Sequence, residues 1–568
     1  MTNERSVLVI FGGELPKKNQ KWYRQFSKVI YPEELEKLIN PGSIREANLL
    51  VDELSRLAMP NGKRISKLIN WCGYELWWIH YGGLMSNFCL PYTQYRTLLS
   101  YLKDFEKVCL YWPPNPDLFR YFLEAHNRRC IIIKQFKFGN LLPLPFGVFL
   151  QLLISAISLP WMKIKKPELM VWASDKISPP YNFEYRNKSV YKELIEKKIP
   201  FAVFMRSVEF WPKVLENAWR RKRAIIYSSA IIELLHFFSR PFNHLAVSFP
   251  SSDPEKRFQF SVAVHYLRNV RGSIWSILAM KLLFRWIGIK AAYINDGCDR
   301  TFHEVLGCKL AGIKTVGIQH AATSRYAFIP DFMPAFDGDL PLSVDKYGLW
   351  SEWWLEYYLK YSRAYHKEQL FVSGPCNPLE KETAKDGSFQ RGGPLKVLFV
   401  SEQLAAPSEI LPYLLKLLEI KEFTVSLKFR PYRDGFEKWL QKNRPDILER
   451  VGIFRGSPQQ AAAMSDVAVG SHSSAVLEAL LQLKPIVFFW TNKWGDYFDL
   501  KDLDKEGRFF ASNPQELADF VRESNNMPED TIKQLQKRFF GDPNKNGGKW
   551  VVEQALELAK DYDKQRTI

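Results

Sequence analysis

Short apolar runs of strand length alternate along this chain with longer stretches of helical spacing. Ser6–Phe11, Val108–Trp112 and Cys130–Lys134 predict strands, with helical spacing over Glu33–Ala58 and Tyr95–Glu106. Strand-like runs recur at Leu169–Ala173, Phe201–Met205, Ala224–Tyr227, Ala291–Ile294 and Thr315–Ile318. Helical segments separate most of these, Ser273–Ile287 being the clearest. Asn377–Pro394 is rich in Gly, Lys, Glu, Asp and Pro and predicts a linker. Beyond it the alternation is cleaner, with strands at Lys396–Val400, Thr424–Lys428, Gly452–Phe454, Val467–Val469 and Ile486–Phe489. Helices are expected at Ile410–Glu419, Pro458–Met464 and Ser474–Gln482, and Asp530–Phe540 and Trp550–Asp563 close the chain.

Strands and helices alternating in this way predict right-handed βαβ units and mostly parallel sheets. The expected fold class is α/β, with two Rossmann-like domains facing a cleft and an apolar helical insertion in the first. The first domain is placed at 1–376 with the insertion near 135–166, the linker at 377–394 and the second domain at 395–545. A final helix, 546–568, is expected to brace the first domain.

Leu141–Met162 is almost wholly apolar and flanked by Lys134 and Lys137 on one side and Lys163, Lys165 and Lys166 on the other. Its length approaches the ~20 residues of a membrane span. Pro143, Pro145 and Pro160 interrupt it, and both flanks are basic, so no orientation is favoured. A helix lying in the cytoplasmic leaflet is the preferred placement; a buried core helix and a true span stay open. Ser273–Ile287 is a second candidate for surface binding. The apolar run at Val7–Phe11 is too short for a signal-peptide core and reads as a first strand.

Composition narrows the partners. A hydrophobic fraction of 46% with 25% charged residues is that of a globular protein. Aromatic residues make up 15%, with 18 Trp, which suits sugar stacking, a membrane interface or ordinary cores. The net charge of +18 points to phosphorylated substrates or an anionic membrane surface. Nucleic acid is the least favoured partner, since no zinc-finger spacing, aromatic RNA-binding signature or long basic tail is present. The seven Cys are scattered and odd in number, with no C-x-x-C pair, as expected of reduced thiols in the cytoplasm.

The stretch from Ser465 to Leu480 carries the sharpest chemistry. A buried run, Val467–Val469, meets Gly470, Ser471, His472, Ser473 and Ser474 before a helical segment. A strand, a Gly/Ser turn and a helix start make an anion site from free N–H groups and the dipole's positive end. Ser471, His472, Ser473 and Ser474 are therefore donor-phosphate candidates, and simple helix capping is the alternative. Lys428 and Arg430 alternate around Phe429 and point to one face, where two cations suit a diphosphate or a phosphate plus a sugar carboxylate. Ser401 and Glu402 follow the strand Lys396–Val400 and are placed beside the donor. No Asp-x-Asp pair of the metal-holding kind is evident, so no metal and no cofactor is expected, the nucleotide sugar being a substrate.

An ordered set of short motifs resembles GT-B glycosyltransferases. More narrowly it resembles bacterial surface-polysaccharide transferases that use CMP-activated acidic sugars, the polysialyltransferases and capsule Kdo transferases. The motifs stand here as Asn295-Asp296-Gly297, Gln319-His320, Arg430-Pro431 and Ser473-Ser474, over Ala291 to Phe489. Tyr293–His320 and Glu75-Leu76-Trp77-Trp78 are similar to surface-carbohydrate biosynthesis proteins more broadly. Asn295 replaces an acidic residue, Arg430 replaces a His, and Leu483-Lys484-Pro485 replaces a Gly-x-Pro.

The resemblance implies that Glu478 holds the donor ribose. Asp296 is the candidate base that deprotonates the acceptor hydroxyl, with an N-cap as its alternative role. His320 ends a buried strand and is the second catalytic candidate, while Asn295, Gln319 and Arg300 are placed on the acceptor side. Glu304 is a fallback base that otherwise reads as an exposed helix glutamate.

The expected function is transfer of a sugar from a nucleotide sugar, CMP-linked on the resemblance, to a lipid-linked or growing surface polysaccharide at the inner face of a bacterial plasma membrane. A polyol-phosphate transferase with a CDP-activated donor, an inactive GT-B scaffold and a sugar-nucleotide epimerase are the alternatives. The oligomeric state is not legible.

Overall fold

The computed structural model describes residues 5–12, 25–59, 62–116, 123, 129–133, 146–174, 177–178, 183–207, 211–221, 224–240, 253–295, 301–326, 331–380, 393–401, 405–430, 434–498, 500 and 508–567. The chain divides into two units. The first comprises Met1–Phe146, Ile232–Ser276 and Phe328–Leu340, and the second Gly147–Ile231, Ile277–Ala327 and Pro341–Ile568.

In the first unit the buried strand Ser6–Ile10 lies between Lys28–Ile30 and Lys107–Tyr111, with Arg129–Ile133 beyond, in a parallel sheet. Leu8, Ile10, Cys109 and Tyr111 form its core. The helix expected over Glu33–Ala58 is two, Pro32–Ile39 and Ser43–Ser55, because Gly42 turns the chain at φ 71°, a left-handed conformation that suits glycine. Trp77 and Trp78 are fully buried, edge-on to Tyr266 at 4.9 Å and Phe336 at 5.5 Å, so this pair fills a core.

The helix expected from Ser273 begins instead at Pro254 and runs to Ile287. Gly272 does not break it. A Cβ there would stand 2.7 Å from His236 Nδ1 and 2.8 Å from Ser239 Oγ, so the glycine serves a close approach.

The second unit holds two larger sheets, parallel throughout. The first is ordered Ile225–Ile226, Phe201–Arg206, Leu169–Ser174, Ala291–Ile294, Lys314–Ile318, Lys346–Leu349, Leu370–Val372. The second is ordered Gly452–Phe454, Phe423–Lys428, Leu395–Val400, Val467–Gly470, Ile486–Phe489, Phe510–Ala511. Counted in chain order within each sheet, both follow the doubly wound order 3-2-1-4-5-6, and the first adds a seventh strand. The α/β class with twin Rossmann-like sheets is thus the one observed. The strands of residues 1–376 fall in two larger sheets, one in each unit, and two two-stranded ribbons.

The last helix, Gly547–Thr567, packs Val551, Val552, Ala555, Leu558 and Ala559 against Leu169, Val171, Tyr293, Val316 and Ile318 of the seven-stranded sheet. Gly547 allows this docking, since a Cβ would sit 2.5 Å from Ile318 Cδ1 and 2.7 Å from the Gly374 carbonyl.

Candidate active site

In a doubly wound sheet the loops at the carboxyl ends diverge where the strand order reverses, and ligands bind there. The seven-stranded sheet reverses between Leu169–Ser174 and Ala291–Ile294, the six-stranded sheet between Leu395–Val400 and Val467–Gly470.

Outside the first reversal, the Ser174 N–H donates to Glu184 Oε2 at 2.7 Å, and the same carboxylate is paired with Arg186. Glu184 is fully buried and Arg186 half-buried. Arg186 Nη1 lies 3.3 Å from Nε2 of the half-buried His320. A two-stranded ribbon, Ile177–Ser178 with Phe183–Glu184, returns the chain so that Arg186 follows at the strand end. Sequence reading gave Arg186 no role, because no local pattern shows where that ribbon leads.

Asn295 is fully buried, and the Tyr293 hydroxyl stands 3.0 Å from its Oδ1 and 2.9 Å from Asn187 Oδ1. Gln319 is also buried; its Oε1 accepts the Trp350 N–H at 3.2 Å and its carbonyl the Trp350 indole N–H at 2.5 Å. Both are thus tied into internal hydrogen bonds. Asp296 and Arg300 lie outside the described residues.

Glu304 corrects an expectation. It is buried, not exposed, and accepts Ser228 Oγ–H at 2.6 Å and Trp172 Nε1–H at 3.3 Å. Desolvation holds its carboxyl above the usual range, with hydrogen bonds from Ser228 and Trp172 opposing.

Outside the second reversal, Asp434 gathers the loop after Phe423–Lys428. It accepts the N–H groups of Phe436 and Glu437 at 2.9 and 3.0 Å and that of Arg430 at 2.9 Å. The Ser401 hydroxyl also donates to it, so Ser401 is fully buried and turned inward. Asp434 was not foreseen, although Asp434-Gly435 before a helical run is an N-cap signal. Glu402 lies outside the described residues.

Lys428 is buried on the face opposite the core residues Leu427 and Phe429, with Nζ 3.1 Å from the Phe429 carbonyl. Desolvation lowers its pKa, and the charge of Glu478 opposes that shift. Glu478 is half-buried, and desolvation with the Glu380 carboxylate pushes it up to about 8 against the pull of Lys428 and Lys188. Ser471 Oγ and His472 Nδ1 are 2.9 Å apart, and His472 packs on Trp494 and Tyr497 at ring distances of 5.1 and 5.6 Å.

Ser473 caps the next segment, its Oγ accepting the Ala475 N–H at 3.3 Å, and Ser474 opens it. Here too the structure corrects the reading. The α-helix covers only Ser474–Leu477, and Glu478–Gln482 continues as 3₁₀. The dipole at Ser474 is therefore that of a single short turn.

The segment Cys376–Glu380 touches the loops of both sheets. Cys376 Sγ lies 3.3 Å from the Arg186 carbonyl, and Lys188 Nζ is 3.4 Å from Glu380 Oε1. Glu380 Oε2 accepts Ser457 Oγ–H at 2.8 Å, and Gln459 Nε2 donates to the Pro378 carbonyl at 3.0 Å. Among the described residues no group of three or more His, Cys, Asp or Glu is placed to hold a metal.

No protein-family model matches the chain, and no curated protein matches it. Among solved structures it is similar to the glycotransferase of kitacinnamycin, with TM-score 0.42 and 12% identity over 68% of this chain and 98% of that one. It is similar to MurG of Acinetobacter baumannii, with TM-score 0.40 and 12% identity over 69% of this chain and 100% of that one. A third is S. aureus MnaA in its co-structure with UDP, with TM-score 0.41 and 10% identity over 69% of this chain and 97% of that one.

Proposed function

We propose that this chain is a glycosyltransferase that moves a sugar from a nucleotide-sugar donor to a lipid-linked or growing surface-polysaccharide acceptor. The observation that carries the reading is that the buried Lys428 and the Ser471–Ser474 turn both lie at the carboxyl ends of strands, Phe423–Lys428 and Val467–Gly470, around a strand-order reversal. A desolvated ammonium and backbone N–H donors meet the charge that grows on phosphate as the anomeric bond breaks. Glu478 is the candidate to hydrogen-bond a ribose hydroxyl. Arg430, held by Asp434, adds a second cation at the same strand end. On the side of the seven-stranded sheet, His320 and Asp296 are the candidates to take the acceptor's proton, Arg186 being the cation beside His320.

Thermal melts with CMP, CDP, UDP and GDP test the donor side. A nucleotide at a hundred times its Kd adds about 2.7 kcal/mol of stability. One of the four should raise the melting temperature, and Lys428→Met should abolish the rise. No response to any nucleotide counts against the reading. Donor turnover by the wild type and by Asp296→Ala, with the product's linkage, then tests catalysis.

A further inference from the structure

Helix Phe146–Lys165 has one face in the protein and one outside it. Val148, Gln151, Ser155 and Met162 are buried. The hydroxyls of Ser155 and Ser158 accept the backbone N–H groups of Tyr227 and Ile225 at 2.9 and 3.2 Å, which ties the helix to the edge strand of the seven-stranded sheet. The other face exposes Phe149, Leu153, Ile157, Trp161 and Ile164, with Ile157 at 70% and Ile164 at 72%. Intervals of four, four, four and three residues put these side chains in one stripe, roughly 22 Å long at 1.5 Å per residue. Single exposed apolar residues are ordinary, but a continuous stripe of this length marks a contact surface.

The stripe ends in cations. Lys163, Lys165 and Lys166 are exposed. Lys165 Nζ stands 5.0 Å over the Trp161 ring, and Lys163 Nζ is 5.3 Å over Trp286 and 2.5 Å from its carbonyl. Trp286 belongs to a second exposed stripe at four-residue spacing, Leu278, Leu282 and Trp286, on the helix Pro254–Ile287. The two helices therefore meet at their C-terminal ends, where tryptophan and lysine sit together.

We propose that this two-helix face docks on an anionic phospholipid bilayer, with Phe146–Lys165 lying in the interface plane. Apolar side chains would enter the acyl boundary, tryptophans would sit at headgroup level, and lysines would pair with lipid phosphates. A crossing orientation would strip the helix from the strand that Ser155 and Ser158 hold. A second copy pairing this helix in parallel would set Lys163, Lys165 and Lys166 against their own like charges. The inference does not depend on the proposed activity.

Co-sedimentation of the full chain with phosphatidylcholine vesicles, with and without phosphatidylglycerol, tests it. Binding should need the anionic lipid and weaken as salt is raised. Ile157→Glu with Trp161→Glu should lower the partition at least about tenfold, since two buried apolar side chains are lost. Lys163→Gln, Lys165→Gln and Lys166→Gln together should lower it on the order of a hundredfold. All these residues are exposed, so unchanged melting of the variants serves as the folding control. Absence of binding, or binding by both variant sets as strong as that of the wild type, overturns the proposal. A dimer that Ile157→Glu dissociates would assign the face to a second copy and overturn it equally.

Discussion

Arg186 Nη1 stands 3.3 Å from His320 Nε2, and this contact fixes which imidazole nitrogen is the acceptor. A guanidinium has donors only, so Nε2 carries the lone pair and the ring proton sits on Nδ1. Glu184, fully buried, holds the guanidinium in place from the other side. That lone pair is thus engaged by the guanidinium. Arg186→Lys keeps a positive charge but loses the planar fork. Donor turnover should fall on the order of a hundredfold, as when one preorganised donor is removed. Nitrogen-15 spectra should show the Nδ1–H form of His320 in the wild type and mixed tautomers in Arg186→Gln. Unaltered turnover and tautomer in both variants would reject the assignment.

Glu478 sets a pH dependence whose sign follows from its surroundings. Its carboxyl ordinarily titrates at 4.5, and in the folded chain it is pushed up to about 8, chiefly by desolvation. The native state therefore holds a proton that the unfolded chain has released, and stability falls as pH rises between those two values. Below that window the contribution is fully present. Glu478→Gln should flatten the slope of melting temperature against pH between 5 and 8 and raise the melting temperature by a few degrees at the upper end. Lys428→Met should carry the Glu478 titration higher still, because Lys428 opposes the shift. Melts across this range for both variants check the two statements together.

Asp434 organises the Arg430 loop through four donors, namely the N–H groups of Arg430, Phe436 and Glu437 and the Ser401 hydroxyl. Asp434→Ala removes an N-cap, at about 1 kcal/mol, and strands buried donors at about 1–3 kcal/mol. A total loss of about 2–4 kcal/mol in urea unfolding is expected. Nucleotide stabilisation should weaken with it, since Arg430 loses its anchor. Asp434→Asn keeps an oxygen acceptor and should recover part of both.

Strands of parallel sheets are buried on both faces, so they read as continuous apolar runs, and Leu169–Ala173, Val467–Val469 and Ile486–Phe489 were legible for that reason. Lys346–Leu349 is broken by Lys346 and Gly348, Leu370–Val372 is an edge strand that exposes Phe371, and Phe510–Ala511 has only two residues. Arg186 acquires its place only when the ribbon of Ile177–Ser178 and Phe183–Glu184 folds back, and the buried Glu304 is met by Ser228 and Trp172 from distant parts of the chain. No spacing along the chain encodes those meetings. The Gly/Ser turn before Ser474 was visible, yet the change to 3₁₀ at Glu478 was not.

Leu483 explains that change and gives the last prediction. It caps the 3₁₀ segment at φ 53°, ψ 38°, in the left-handed region that a branched apolar residue rarely adopts. Its N–H bonds the Leu480 carbonyl at 3.0 Å and the Lys484 N–H bonds that of Ala479 at 3.0 Å, so the turn is closed from both sides and the strain is held. Lys484-Pro485 then leads directly into Ile486–Phe489. The left-handed conformation costs an L-residue about 1–2 kcal/mol, which glycine does not incur. Leu483 is half-buried, so its removal gives back part of that in lost apolar contact. Leu483→Gly should raise the urea midpoint by the equivalent of about 0.5–1 kcal/mol, and Leu483→Ile, with its β-branch, should lower it by a similar amount. The opposite ordering of the two variants would mean that apolar contact, not backbone conformation, decides this position.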